Sequence, residues 1–336
     1  MSNVKKDRSL ISVLLPVFNG EIFIKQAIES ILSQTYEKFE LIIIDDGSKD
    51  GSAAIIREIS DKRIFYYYQS NQGLVATLNR GIALSRGEYI ARQDQDDLAY
   101  PKRFERQICF LENNSNYGMV GTWANIIQGT KMTERVHKHS SESIYLKFGL
   151  LLGNPFVHSS MMIRRKVFED VGLYSTDKTR QPPEDYELWS RIARKYEIAN
   201  IPEILQGYRE VPSSMCRTEM QSYIEKEFII MVENIAILLN RTKSDKNICD
   251  LAALACSAYH KLSCNVNYTE IKRLVYEAAD KLSELNGVSS KILRVRIPYH
   301  LRRIHNQYIK YKFGAKVAKI FSIWNKLVYS RQEQRN

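Results

Sequence analysis

The first two hundred residues alternate short apolar runs with stretches of helical spacing. "LISVLLPV" (Leu10 to Val17) leads to Ile24, Ala27, Ile28 and Ile31, then to "FELIIID" (Phe39 to Asp45), "SAAIIREIS", "RIFYYY", a helical pattern from Leu74 to Leu84, and "EYIA" (Glu88 to Ala91). Apolar positions three and four apart share one helix face, whereas short continuous runs rich in β-branched residues read as strands buried on both sides. The predicted order is β-α-β-α-β-α-β, an α/β fold with a mainly parallel sheet flanked by helices. In such sheets the ligand lies outside the carboxyl ends of the strands. Two acidic clusters fall there: Asp45-Asp46 after "FELIII", and Asp94, Asp96 and Asp97 in "ARQDQDDLAYP" after "GEYIA". Crowded like charges repel, so three carboxylates together call for free exposure to water or for a cation that neutralises them.

Near residue 215 the pattern changes. "YIEKEFIIMVENIAILLN", "ICDLAALACSAYHKL" and "YTEIKRLVYEAADKLSEL" read as amphipathic helices joined by polar turns. The expected organisation is an α/β domain over residues 1–215, a helical region over 216–290 and a basic amphipathic tail over 291–336. That tail holds twelve Lys and Arg against one acid, Glu333, and so carries the entire net charge of +11. Phe313, Val317, Ile320, Phe321, Trp324 and Val328 form one helical face and Lys312, Lys316, Lys319 and Lys326 another. A neutral body with one basic, half-apolar end suits an anionic membrane surface.

With 336 residues and 44% hydrophobic content the chain can build a full core and a second, smaller unit. No apolar run reaches the roughly 18 residues that span a bilayer. Its basic N-terminus precedes a short, Pro16-containing run that reads as a first strand and not as a signal peptide. Five cysteines without C-x-x-C pairs argue against a disulfide framework or a zinc knuckle and fit a reducing cytoplasm. The Asn-x-Ser/Thr triplets at Asn113, Asn240 and Asn267 then have no glycosylation meaning. Neither G-x-G-x-x-G after the first strand nor G-x-x-x-x-G-K-[ST] is present. A diphosphate would have to be held through a divalent cation instead, with Asp94, Asp96 and Asp97 as the place for it.

"SVLLPVFNG", "SILSQTYEKFELIIIDDGSKDGS", "NRGIALSRGEYIARQDQDD", "HSSMMIRRKVFEDVGLY", "PEDYELWSRIA" and "YR" (Tyr208-Arg209), in this order over about residues 10 to 215, resemble the family 2 glycosyltransferases of GT-A fold. The resemblance implies inverting transfer of a sugar from a nucleotide-sugar, usually a UDP-sugar, to an acceptor hydroxyl. It places Phe18 against the nucleobase, with Pro16 and Asn19 shaping the pocket and Asp46 accepting from the uracil ring N–H, while Asp45 orders the turn. Asp94-Gln95-Asp96 matches the family's D-x-D: Asp94 near the ribose, Asp96 on a Mg²⁺ or Mn²⁺ ion, Asp97 in support. Glu184-Asp185 matches its E-D motif, with Asp185 as general base and Glu184 as second choice. His158 would touch phosphate or acceptor, Trp189 either stacks on an acceptor sugar or lies in the core, and Arg209 would bring a guanidinium near phosphate. Bacterial surface polysaccharide or lipopolysaccharide assembly on a lipid-linked glycan acceptor, at the cytoplasmic face of the inner membrane, completes the expectation. A nucleic-acid binder using the basic tail is disfavoured by the acidic sheet edge. A non-catalytic scaffold is disfavoured by the intact D-x-D and E-D. Sugar, linkage and oligomeric state are not legible.

Overall fold

The computed structural model describes residues 8–211 and 220–317, which group into two compact units: residues up to Leu146 with Pro155–Glu219, and Lys147–Asn154 with the chain from Met220 onward. The expected boundary near 215 and most of the Phe/Trp and Lys stripes read between 312 and 328 lie outside the described residues.

The first unit opens with β1 (Ile11–Val17), α1 (Ile24–Leu32), β2 (Phe39–Asp45), α2 (Ser52–Glu58), β3 (Ile64–Tyr68), α3 (Leu74–Leu84) and β4 (Tyr89–Arg92). Here the apolar pattern and the structure agree element by element. β2 is buried along its whole length, and α1 turns Ile24, Ala27, Ile28 and Ile31 inward. The unit continues through β5 (Leu98–Ala99), α4 (Arg103–Asn113), β6 (Tyr117–Gln128), β7 (Lys131–His137), α5 (Ser143–Gly149), β8 (Met162–Arg164), α6 (Arg165–Val171), α7 (Glu184–Lys195) and β9 (Glu197–Glu210). Among the described residues nine strands form one sheet in the order β3-β2-β1-β4-β8-β6-β9-β5, with β7 on β6. β3, β2, β1 and β4 are parallel, as expected. Beyond them directions mix: β8 is antiparallel to β4 and β6, and β7 returns on β6 through a tight turn with Gly129 at φ 57°. A hairpin needs no crossover helix, so this half does not carry the alternating signal of the first.

Pro16 shapes the sheet's ligand edge. The carbonyl of Leu14 accepts from Gln93 N and that of Val17 from Asp46 N, so the N–H that Pro16 lacks would have pointed at β4. Pairing of β1 with β4 ends at Leu14–Arg92, whereas β1 stays paired with β2 as far as Val17–Asp45. The two central strands part there and leave room between their carboxyl ends.

At the opposite end of β4 the chain passes close to β1. Ser12 Oγ donates to Glu40 Oε1 (2.6 Å) and accepts from Gly87 N (2.8 Å), while Arg86 reaches Glu40 through its backbone N–H and Nε, both at 2.7 Å. Burial alone would raise the Glu40 pKa, but these donors outweigh it and hold the carboxyl below its usual range.

In the second unit α8 (Met220–Leu239), α9 (Lys246–Cys256), α10 (Tyr268–Leu285), α11 (Ser290–Arg294) and α12 (Ile297–Phe313) pack around α9, whose Ile248, Leu251, Ala252, Ala253 and Leu254 are buried. Asp245 and Asn267 cap α9 and α10 by accepting from two backbone N–H groups each. The carbonyl of Leu150 accepts from Asn234 of α8, which ties the inserted segment 147–154 to this unit.

A Cβ on Gly87 would lie 2.6 Å from both Leu10 O and Ser12 N, backbone atoms that cannot swing aside. Gly87→Ala is expected to cost about 3 kcal/mol and to lower Tm by several degrees in a thermal melt; an unchanged Tm would mean that β1 yields.

Candidate active site

Pro16, Phe18, Asn19, Asp46, Asp94, Asp96 and Asp97 lie at or just past the carboxyl ends of β1, β2 and β4, and Glu184 and Asp185 open α7. The Asp45 carboxylate accepts from Ser48 N (2.8 Å) and Tyr66 Oη (2.9 Å) and closes the turn after β2. Asp46 accepts from Gln69 Nε2 (2.7 Å), Gln72 N (2.9 Å) and Gly73 N (2.8 Å), fixing the entry to α3. Three of its roughly four acceptor positions are thus occupied, which leaves one for the ligand N–H that the resemblance assigns to it. Asn19, at φ 50°, accepts from Lys49 N through its side-chain oxygen and donates its own N–H to Ser48 Oγ. Phe18 projects its ring, 45% exposed, from the end of β1.

Gln95, the middle residue of D-x-D, has a structural task that sequence reasoning missed. Its Oε1 accepts from Phe18 N (2.9 Å) and its Nε2 donates to Phe18 O (3.1 Å). The side-chain amide therefore pairs with β1 where the backbone of β4 no longer can. Gly20 lies against the same side chain, so close that a Cβ there would sit 2.5 Å from Oε1.

The three aspartates differ in surroundings. Asp94 forms an ion pair with Arg92 (2.5 Å), a residue only 2% exposed. The buried Asp97 accepts from Arg209 N (2.7 Å) and from the Ser159 hydroxyl, bonding β4's loop to β9 and to the turn that carries His158. Its pKa is nevertheless pushed up, first by burial and then by Asp94 and Asp96. Among the described residues no other side chain bonds the Asp96 carboxylate; burial and the Asp94 charge raise it to about 6.

Arg209 does not point its guanidinium at an open site. Nε donates to Asp96 O (2.6 Å), the two Nη atoms reach Gly129 O and Gln26, and the group lies 4.1 Å over the Phe23 ring. Beneath the triplet Arg103 is fully buried, donating to Gln93 and Gln206 side chains and to the carbonyl of Arg92. Burial, partly offset by Asp97, lowers its pKa to about 9, so it stays a cation at neutral pH. The sequence signal for this floor was present: Arg103 and Gln107 share a helix face with Phe104, Ile108 and Leu111, and polar residues on an apolar face need partners.

Glu184 and Asp185 open α7, where the helix dipole favours acids. Asp185 is half-buried and accepts from Tyr186 N (2.7 Å). Glu184 is 6% exposed; burial, then the Asp185 charge, raises its pKa from 4.5 to about 7, with Arg92 opposing and Asp94 adding to the rise. His158 sits behind it, Nε2 3.0 Å from Tyr174 Oη and Nδ1 3.8 Å from Glu184 Oε1. Burial and Arg92 push the imidazole well below its ordinary pKa, so it is neutral. Its nitrogens face Tyr174 and Glu184, a supporting position. Trp189 is fully buried among Phe156, His158 and Tyr174, and belongs to the core.

Two motifs some ninety residues apart thus meet around Arg92. Five acids (Asp94, Asp96, Asp97, Glu184, Asp185) face three guanidiniums (Arg92, Arg103, Arg209), a deficit of two positive charges. Asp96, Asp97 and Glu184 are all pushed above the usual carboxylate range there, and one divalent cation would supply the two missing charges. Among the described residues no group of three or more His, Cys, Asp or Glu forms a cage. Asp96 alone fits an ion that takes its remaining ligands from phosphate and water, as Mg²⁺ and Mn²⁺ do.

The fold, with ligand-edge carboxylates and an opposing acidic helix start, is GT-A, the architecture of nucleotide-sugar transferases. The model of Glycosyl transferase family 2 matches residues 12–172. An uncharacterized glycosyltransferase of Haemophilus influenzae is 31% identical over 329 residues, covering 93% of this chain and 98% of its own. The chain is a glycosyltransferase and belongs to family 2. Its fold is similar to S. aureus TarS 1–349, solved in complex with UDP-GlcNAc (TM-score 0.57, 14% identity, 90% of this chain and 92% of that one). It is also similar to the mannosyltransferase PcManGT of Pyrobaculum calidifontis, solved with GDP-Man and Mn²⁺ (TM-score 0.51, 15% identity, 92% and 88%).

A carboxyl whose folded pKa lies above its ordinary value favours the folded state least when ionised. Well below pH 4.5 Glu184 is protonated in folded and unfolded chain alike; the destabilisation sets in around pH 4.5, grows toward pH 7 and is complete above it. Glu184→Gln should therefore raise stability at pH 8 by up to about 3 kcal/mol, with most of the gain lost at pH 4.5 and all of it well below. Denaturant titrations at both pH values measure this, and equal gains would place the cause outside ionisation.

Proposed function

We propose that this glycosyltransferase moves a sugar from a nucleoside-diphosphate sugar, in the first instance a UDP-sugar, to an acceptor hydroxyl with inversion and with help from a divalent cation at Asp96. The observation that carries the reading is the meeting of D-x-D and E-D acids around Arg92 at the edge where β1 and β4 part. The UDP-GlcNAc of TarS and the GDP-Man and Mn²⁺ of PcManGT support the donor class and the ion. Pro16, Phe18, Asn19 and Asp46 would line the base pocket and Asp94 the ribose. Asp97, held by Ser159 and Arg209, would keep the triplet in place.

In a single displacement the acceptor oxygen bonds to the anomeric carbon as the bond from that carbon to the diphosphate breaks. The acceptor proton passes to a carboxylate, and the electron pair leaves with the nucleoside diphosphate. Asp185 is the better base, because it is half-buried and reachable whereas Glu184 is enclosed and part-protonated at neutral pH. A divalent cation on Asp96 would stabilise charge growing on the diphosphate. A lipid-linked glycan acceptor, in surface polysaccharide or lipopolysaccharide assembly at the cytoplasmic face of the membrane, is supported by the basic end of the chain.

Asp96→Asn should abolish most Mn²⁺-dependent binding of UDP, with the melting curve retained. Calorimetry giving wild-type affinity would remove Asp96 from the cation site. Asp185→Asn should leave donor binding intact and lower turnover by roughly 10²–10⁴-fold; near-normal turnover would move the base role to Glu184.

A further inference from the structure

The helical unit presents a second feature that the reaction does not use. α12 packs Ile297, Ile304 and Ile309 inward, and Tyr308 and His305 stack with Tyr268. Its outward stripe runs Tyr299, Arg303, Lys310 and Phe313, at spacings of four, seven and three, which keep all four within a quarter turn over about 20 Å. Tyr299 and Phe313 are 65% and 55% exposed and stand at either end of the two cations.

The charges around this stripe are one-sided. Several cations elsewhere in the unit have carboxylate partners: Arg241 with Glu277 (2.7 Å), Lys261 with Glu225 (2.8 Å), Arg273 with Glu270 (2.7 Å), Arg294 with Asp280 (2.9 Å). Among the described residues no carboxylate pairs with Arg303 or Lys310. Arg303 donates to the carbonyl of Leu152, and Lys310 lies over the Tyr259 ring. No acid occurs between Lys291 and Glu333.

We propose that the Tyr299–Arg303–Lys310–Phe313 face of α12 docks on an anionic lipid surface. A tyrosine with its polar edge settles at the headgroup level, a phenylalanine inserts below it, and cations between them that lack a carboxylate partner meet lipid phosphates. This face differs from the Lys stripe read at 312–326 and needs no residue beyond Phe313. Among the described residues no helix is long and apolar enough to cross a membrane. The docking holds whichever sugar and acceptor the site takes.

The test is co-sedimentation of the full chain with phosphatidylglycerol and with phosphatidylcholine vesicles, with a nucleic-acid duplex as a third arm. Each cation near the surface is worth roughly fivefold. Arg303→Gln/Lys310→Gln should then weaken binding to the anionic vesicles by roughly twentyfold, and Tyr299→Ser/Phe313→Ser should remove the part that survives high salt. Lys310→Glu leaves the Arg303–Leu152 bond untouched and should lower binding at least fivefold, with donor hydrolysis and the melting curve as wild type. Wild-type binding by all three variants, equal binding to neutral vesicles, or tighter binding to the duplex than to anionic lipid at equal phosphate would each overturn the proposal.

Discussion

Five carboxylates and three buried guanidiniums sharing one sheet edge are the constraint on which the rest of the site depends. An ionised group removed from water must be matched, and each arginine is matched differently. Arg92 pairs with Asp94, Arg103 is wrapped in carbonyls and amides, and Arg209 is spread over an aromatic ring, backbone carbonyls and Gln26. The resulting frame holds β4, β9, α4 and the His158 turn in register before any ligand arrives. Binding then acts on a prepared charge balance instead of assembling one.

The two halves of the first unit reach the same edge by different means. In the parallel half helices follow strands, and the apolar runs were enough to place β1 to β4 and α1 to α3. In the other half β6 and β9 are long, buried in runs and paired with bulges, and β7 is largely exposed, so their burial pattern carries no clean period of two. They nonetheless supply Arg209, and the short β8 lies between them and β4. The acids were legible because like charges in a row are costly and therefore conspicuous. Their partners were not: Gln93, Gln95, Ser159 and Gln206 are ordinary residues in sequence, and only the fold brings them together.

Residue roles show the same limit. Trp189 at helical spacing with Leu188 and Ile192 permitted both a sugar platform and a core residue, and full burial decides for the core. For His158 the sequence could show a lone histidine but not that Tyr174 takes one of its nitrogens and that the other faces Glu184. A side chain's chemistry can be read in one dimension; the direction in which it points cannot.

The amide of Gln95 has a consequence for how the spacer of such a motif should be understood. It answers both an N–H and a C=O of Phe18, one residue standing in for a strand. A carboxylate there could answer only the N–H and would set a negative charge against the carbonyl, and a short side chain would reach neither. The identity of the residue between two aspartates thus governs the stiffness of a loop 77 residues earlier in the chain, and because that loop offers backbone groups, it is the spacer and the Gly20 packed against it that are tied to one another.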